Sequence, residues 1–178
     1  MSVNIGTSIG VKGPYCEIAI GTQIWMCENI SDNIIDSKVY DDDEANRAIY
    51  GGLYTVGMFA AIEALYPGWH VPSQTEWNTL VTFLGGSSVA GGKLKEAGTV
   101  HWDTPNTSAD NDSGFTALPG GSRTNIGAYN QLNTIGSYWS TTNNGPSTYT
   151  LFLQYNSAFG LVVAQTTTSY FSVRLIKD

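Results

Sequence analysis

The sequence predicts an α+β fold, with two helices packed on short, mostly antiparallel strands, and three observations point to it. A strand-turn-strand pattern opens the chain, two segments of helical periodicity follow, and everything after Ala90 breaks into short apolar runs separated by Gly, Pro, Asn and Asp. The 178 residues fit one domain over 1–178, with a short N-terminal arm over 1–14.

The hairpin reads Tyr15-Cys16-Glu17-Ile18-Ala19-Ile20, then Gly21-Thr22, then Gln23-Ile24-Trp25-Met26: two strands joined by a two-residue turn. Cys16 and Cys27 flank it, and their spacing fits either two small buried thiols or a disulfide that clips the hairpin. The acids Asp41, Asp42, Asp43 and Glu44 lack the spacing of a cation-binding loop and read as a solvated loop.

Within 54–66, Met58, Phe59, Ile62 and Leu65 recur at helical spacing until Pro67-Gly68 ends the element. A second helix opens at Ser73 with Glu76 three residues later, a capping box. Its apolar face is Trp77, Leu80, Val81 and Leu84, and Gly85-Gly86 stops it. Strands are predicted over 99–102, 115–118, 138–140, 149–155, 161–163 and 171–176. Trp25, Trp69, Trp77, Leu80 and Phe115 are the predicted core.

Composition narrows the function. The formal net charge is −7 with eight Lys and Arg, so the basic footprint of a nucleic-acid binder is missing. No apolar run approaches a membrane span, which argues against membrane insertion, and the N-terminus lacks a signal-peptide pattern. Residues 124–173 contain no Asp, Glu, Lys or Arg and are rich in Tyr, Phe, Asn, Thr and Ser. That mixture gives rigid amphipathic contact area with neutral hydrogen bonding, the chemistry of antibody-like surfaces, although strand alternation sends about half of such residues inward.

Period-two spacing puts Tyr149, Leu151, Leu153 and Tyr155 on one side of a strand and Phe159, Leu161, Val163 and Gln165 on one side of the next. With Tyr129, Asn130 and Tyr170 these form the expected ligand-binding set, and Phe152 and Val162 are expected in the core. Arg123 and Arg174 bracket the neutral stretch and read as structural salt bridges or carbonyl clamps.

Several ordered blocks resemble one family. They are Gly21-Thr22-Gln23-Ile24-Trp25-Met26 with Glu28-Asn29, Tyr50-Gly51-Gly52-Leu53-Tyr54, Pro67-Gly68-Trp69-His70-Val71-Pro72, Ala90-Gly91-Gly92-Lys93-Leu94-Lys95, Ser113-Gly114-Phe115-Thr116-Ala117-Leu118-Pro119-Gly120-Gly121 and Gly136-Ser137-Tyr138-Trp139-Ser140-Thr141, with Phe171-Ser172-Val173-Arg174 near the end. Together they resemble the Fibrobacter succinogenes major paralogous domain, a family of the C-type-lectin-like superfamily that also holds the formylglycine-generating, sulfatase-modifying factors. The resemblance implies a C-type-lectin-like fold and an extracellular, cell-surface or virion-associated protein.

The Tyr-Trp-Ser block, the neutral segment and the final Phe-Ser-Val-Arg also resemble the variable proteins of diversity-generating retroelements, in phages or bacteria. Family relatives carry an Asn-rich interval before Phe171, with Gly just ahead of it. Here Asn156 is followed by mixed aromatic, small and aliphatic residues, and Tyr170 stands in the Gly position. The resemblance thus implies a variable recognition surface whose partner is a protein or glycan on another cell. A glycan-binding surface lipoprotein or adhesin is the other binding role it allows.

An enzyme of the formylglycine-generating type would need a cysteine pair late in the fold, whereas Cys16 and Cys27 lie in the first hairpin. His70 and His101 suggest no nucleophilic triad. The chain is therefore expected to be non-enzymatic and to need no cofactor. Asp103, Asn106, Asp110, Asn111 and Asp112 supply oxygen ligands without a matched calcium motif, so calcium is expected to be dispensable.

Overall fold

A computed structural model describes residues 15–178, and the arm expected over 1–14 lies outside the described residues. Strands β1 (Glu17–Ile20) and β2 (Gln23–Met26) form the expected hairpin, with Glu17 opposite Met26 and Ile20 opposite Gln23. The turn requires glycine: Gly21 has φ 64°, and a Cβ there would stand 2.9 Å from the Phe83 ring. Cys16 and Cys27 are disulfide-bonded with Cα atoms 5.3 Å apart, which settles the alternative the sequence left open.

The acidic run is not simply a solvated loop. Tyr40–Asp42 form a 3-10 turn, and Asp43 caps helix α1 (Glu44–Tyr50) by accepting from the Ala45 amide at 2.9 Å. Glu44 pairs with Arg47 one turn on. Asp43 and Glu44 are thus the start of a helix, where its dipole favours them, while Asp41 and Asp42 stay exposed in the turn before it.

The first expected helix is a 3-10 turn (Val56–Met58) leading into α2 (Phe59–Leu65). After the short strand β3 (Trp69–His70), α3 (Gln74–Phe83) begins with the expected capping box: Glu76 N–H donates to Ser73 Oγ and Ser73 N–H to Glu76 Oε2. Beyond Gly85 and Gly86 lies a helix the sequence did not predict, α4 (Ser87–Leu94). It contains Gly91 and Gly92, poor helix formers that tertiary contact demands. A Cβ on Gly91 would fall 2.1 Å from the Phe159 carbonyl, and one on Gly92 2.3 Å from that of Ser108.

Strands β4 (Ser122–Arg123) and β5 (Tyr129–Asn130) make a small ladder. Strands β6 (Ile135–Asn144), β7 (Ser147–Gln154) and β8 (Gly160–Thr166) form an antiparallel meander. Strand β9 (Ile176–Lys177) returns to the N-terminal sheet, whose order is β1-β2-β9-β3. The predicted strand over 99–102 is irregular, and 115–118 contributes only the Ala117 bridge to Lys95. From 171 to 175 single bridges replace a regular strand, with Phe171 on Tyr54 and Ser172 beside Tyr138.

Two apolar cores lie on either side of β6. Tyr138 belongs to the first, with Trp25, Trp77, Leu80, Phe115, Leu151 and Leu153. Trp139, the next residue, belongs to the second, with Trp69, Tyr54, Ile62 and Phe171. All five predicted core residues are buried. Trp25 and Trp77 stack at 4.6 Å between ring centres, and Phe115 meets both edge-on.

Candidate functional site

The meander's register decides which neutral side chains face outward. Leu151 lies opposite Tyr138 on one neighbour and Val162 on the other, and Leu153 opposite Gly136 and Gly160. Cross-strand partners share a side, and this is the side packed under α3 and the first core. Leu151 and Leu153 are completely buried, and Tyr155 packs against the same core, so the expectation that they face a ligand is overturned. Tyr149 shares that side by register and is half-buried at the strand's end.

Phe152, expected in the core, belongs instead to the opposite side. It pairs with Leu161, while Thr150 pairs with Val163 and Thr148 with Gln165. Phe152, Leu161, Val163 and Gln165 are half-buried, and Phe159 just before β8 is 48% exposed. Val162 packs on the first core as expected. The parity of β7 was therefore reversed relative to β8. Leu151-Phe152-Leu153 is a continuous apolar run, so alternation defines two sets without saying which one faces inward. That side is covered at Trp139, Thr148 and Thr150, which are completely buried, and its partly open part is Phe152, Leu161, Val163 and Gln165, uncharged and flanked by Phe159.

A second group gathers around Arg123. Its guanidinium lies 5.5 Å from the Tyr129 ring centre and 5.1 Å from that of Tyr170. Arg123 and Tyr170 exchange backbone hydrogen bonds, 3.1 Å from the Arg123 amide and 2.8 Å from the Tyr170 amide. Tyr129 donates its hydroxyl to Asp42 Oδ1 at 2.6 Å. Burial and that hydrogen bond push the phenol up to about 12. Asn130 is exposed, with its amide donating to the Ala128 carbonyl at 3.3 Å. Tyr129 and Tyr170 are thus joined through Arg123, and Tyr170 also packs on the second core. No hydrogen bond or ring contact among the described residues links this group to Leu161, Val163 or Gln165.

The other conspicuous polar residues are spent on structure. Arg174 is buried, donates to the carbonyls of Met26, Cys27 and Phe115 and to Asn29 Oδ1, and lies 4.3 Å from the Phe115 ring centre. It is the carbonyl clamp expected of it, and burial pulls it down to about 10. A cavity of about 290 Å³ opens beside it, lined by Glu28, Asn29, Ser31, Arg47 and Thr116, a feature without a sequence signal.

Buried Lys95 donates to the carbonyls of Thr107, Gln154 and Ser157 at 2.9–3.1 Å, and burial pulls it down to about 8. His70 sits between Asp178 at 2.7 Å and Glu76 at 2.8 Å, and His101 against Glu96 at 2.9 Å. The bonded partners of both histidines are carboxylates rather than Ser, Thr or Cys side chains. In the 103–112 loop, Asn106 donates to the carbonyls of Glu96 and Gly98, Asn111 bonds Thr116, and Asp110 accepts from the Asp112 amide.

Among the described residues no helix is long and apolar enough to cross a membrane. A family model, that of the Fibrobacter succinogenes major domain, matches residues 18–177. Neither the curated proteins nor the solved structures yield a match to this chain.

Proposed function

The chain belongs to the Fibrobacter succinogenes major domain family, and from that premise we propose that it is a non-enzymatic recognition module displaying a neutral, aromatic-rich surface on a C-type-lectin-like scaffold. The observation that carries this reading is the outward side of β7 and β8. There Phe152, Leu161, Val163 and Gln165 are partly open, in a stretch of fifty residues, 124–173, without one formal charge. Apolar anchors of this kind bury area in a partner, and neutral amides and hydroxyls fix its orientation. Affinity should then change little with salt, because charge contributes little to encounter.

The partner class is a protein or glycan on another cell. The Cys16–Cys27 disulfide supports an oxidising location such as the cell surface, the extracellular space or a virion. Within this reading the chain is a variable protein of a diversity-generating retroelement, with Tyr170 and the aliphatic β8 standing where relatives carry Gly and an Asn-rich interval. The neighbouring DNA tests that point: a reverse transcriptase beside a near-copy of the 138–174 coding region, differing at adenines, supports it, and its absence favours a glycan-binding surface lipoprotein or adhesin. A glycan and cell-surface binding screen tests recognition itself. Binding that survives replacement of Phe152, Leu161 and Val163 by Ser would overturn the assignment of the face.

A further inference from the structure

Strand β8 is the outer strand of its sheet, paired to β7 from Gly160 to Thr166 and, among the described residues, to no strand on its other edge. Helix α4 meets the chain at the strand's start, where the Gly92 amide bonds the Ala158 carbonyl at 3.1 Å and Gly91 backs onto Gly160. Between Leu161 and Thr166, the one backbone hydrogen bond made outside β7 among the described residues is that of the Ser169 amide to the Thr166 carbonyl. A row of backbone donors and acceptors is therefore left without a backbone partner among the described residues.

Soluble proteins protect such edges with a lysine, a proline, an inward charge or a bulge. Gly160-Leu161-Val162-Val163-Ala164-Gln165-Thr166 has no charge and no proline, and its register with β7 runs without a shift. It is rich in residues that favour strands. We propose that this edge is a self-pairing surface: two copies of the chain join β8 to β8, antiparallel about a two-fold axis, so that their three-stranded sheets become one continuous sheet.

The choice of a second copy over a foreign strand rests on charge. The eight basic and fifteen acidic residues all lie outside 124–173, so most other faces would bring two copies together with an excess of like charge. At β8 a copy meets only neutral groups, whereas a charged peptide finds no complementary partner there. Antiparallel pairing is also self-complementary, as a closed two-fold interface demands. With Val163 on the axis, Leu161 stands opposite Gln165 of the second copy and Val162 opposite Ala164. This inference does not depend on the recognition role, and its failure would leave that role untouched.

The test is sedimentation of the full chain over a range of concentrations, alone and as V163K and V163E. The unsubstituted chain should show a monomer–dimer equilibrium, and each charged variant should dimerise about tenfold or more weakly, because like charges then face each other across the axis. An equimolar mixture of the two variants should recover association as a heterodimer. Hydrogen exchange of the unsubstituted chain supplies a readout that needs no variant: amides within 161–165 should gain protection as concentration rises. A chain that stays monomeric throughout, a dimer indifferent to V163K, or a mixture that does not associate would each overturn the proposal.

Discussion

Phe152 and Leu161 stand directly opposite one another on β7 and β8, on the side of the sheet turned away from Trp77, while their neighbours Leu151 and Val162 pair toward it. Stability and recognition should therefore separate along a single strand. Leu151→Ala and Leu153→Ala should each cost about 2–5 kcal/mol, as truncations of fully buried leucines do. Phe152→Ala and Leu161→Ala should cost less, because both side chains are already partly in water, and should abolish partner binding. Denaturant titration beside a binding assay on the same variants checks this; equal destabilisation of both sets would show that the outward side is covered.

Trp77→Ala should destabilise by about 3–5 kcal/mol. The side chain is fully buried, stacks on Trp25, and donates from its indole to the Trp139 carbonyl at 3.1 Å. An unchanged unfolding midpoint would contradict the packing of α3 on β6.

His70 gives a pH dependence with a definite sign. Burial opposes its protonation, but hydrogen bonds to Asp178 and Glu76 outweigh that and raise its pKa above 6.5. A raised folded-state value stabilises fully below the unfolded value and is lost as pH rises through the folded one. For Glu76, burial raises the pKa, but bonds from Ser73 and His70 leave it lowered from 4.5, so its contribution is lost only as pH falls through that folded value. The advantage of the unsubstituted chain over His70→Gln should thus be present below about pH 6.5 and shrink as pH rises through the raised folded-state value, staying within about 1 kcal/mol for a pair this exposed. Melting temperatures across that range test it, and an advantage growing with pH would refute it.

Lys95 works in the opposite direction. Its pKa falls from 10.5 to about 8 because burial disfavours the ammonium. Between those values the unfolded chain binds more protons, so this residue makes stability rise with pH. Lys95→Met should cost at least about 2 kcal/mol by orphaning three carbonyls, and should flatten that rise. Thermal melts of both chains through the alkaline range provide the comparison.

Calcium should be dispensable, since Asn106, Asn111 and Asp110 already spend side-chain groups on local hydrogen bonds and Asp43 caps α1. A melting temperature that falls by many degrees on chelation would overturn this.

Local chemistry made part of this architecture legible. The hairpin turn at Gly21-Thr22 and the Ser73–Glu76 box are written within a few residues, and the large aromatics mark the core without help from topology. Helix α1 was hidden because the acids that cap and open it look like a loop. Helix α4 was hidden because Gly91 and Gly92 answer to Phe159 and Ser108, chain segments the sequence does not place beside them. The candidate site suffered most. The inward side of β7 is set by Tyr138 and α3 rather than by its own alternation, and the Tyr129–Asp42 hydrogen bond spans 87 residues.

Strand β6 is buried from Ile135 to Ser140 and contributes Tyr138 to one core and Trp139 to the other, whereas among the described residues β8 packs on only one of those cores, through Val162. The fold thus has a keel and a margin. Substitutions along the keel are felt in both halves of the molecule at once, while the margin can exchange Leu161, Val163 or Gln165 with little reaching either. Such a layout lets one chain architecture explore many surfaces at small risk to its own folding, so sequence change that survives selection should accumulate at the margin.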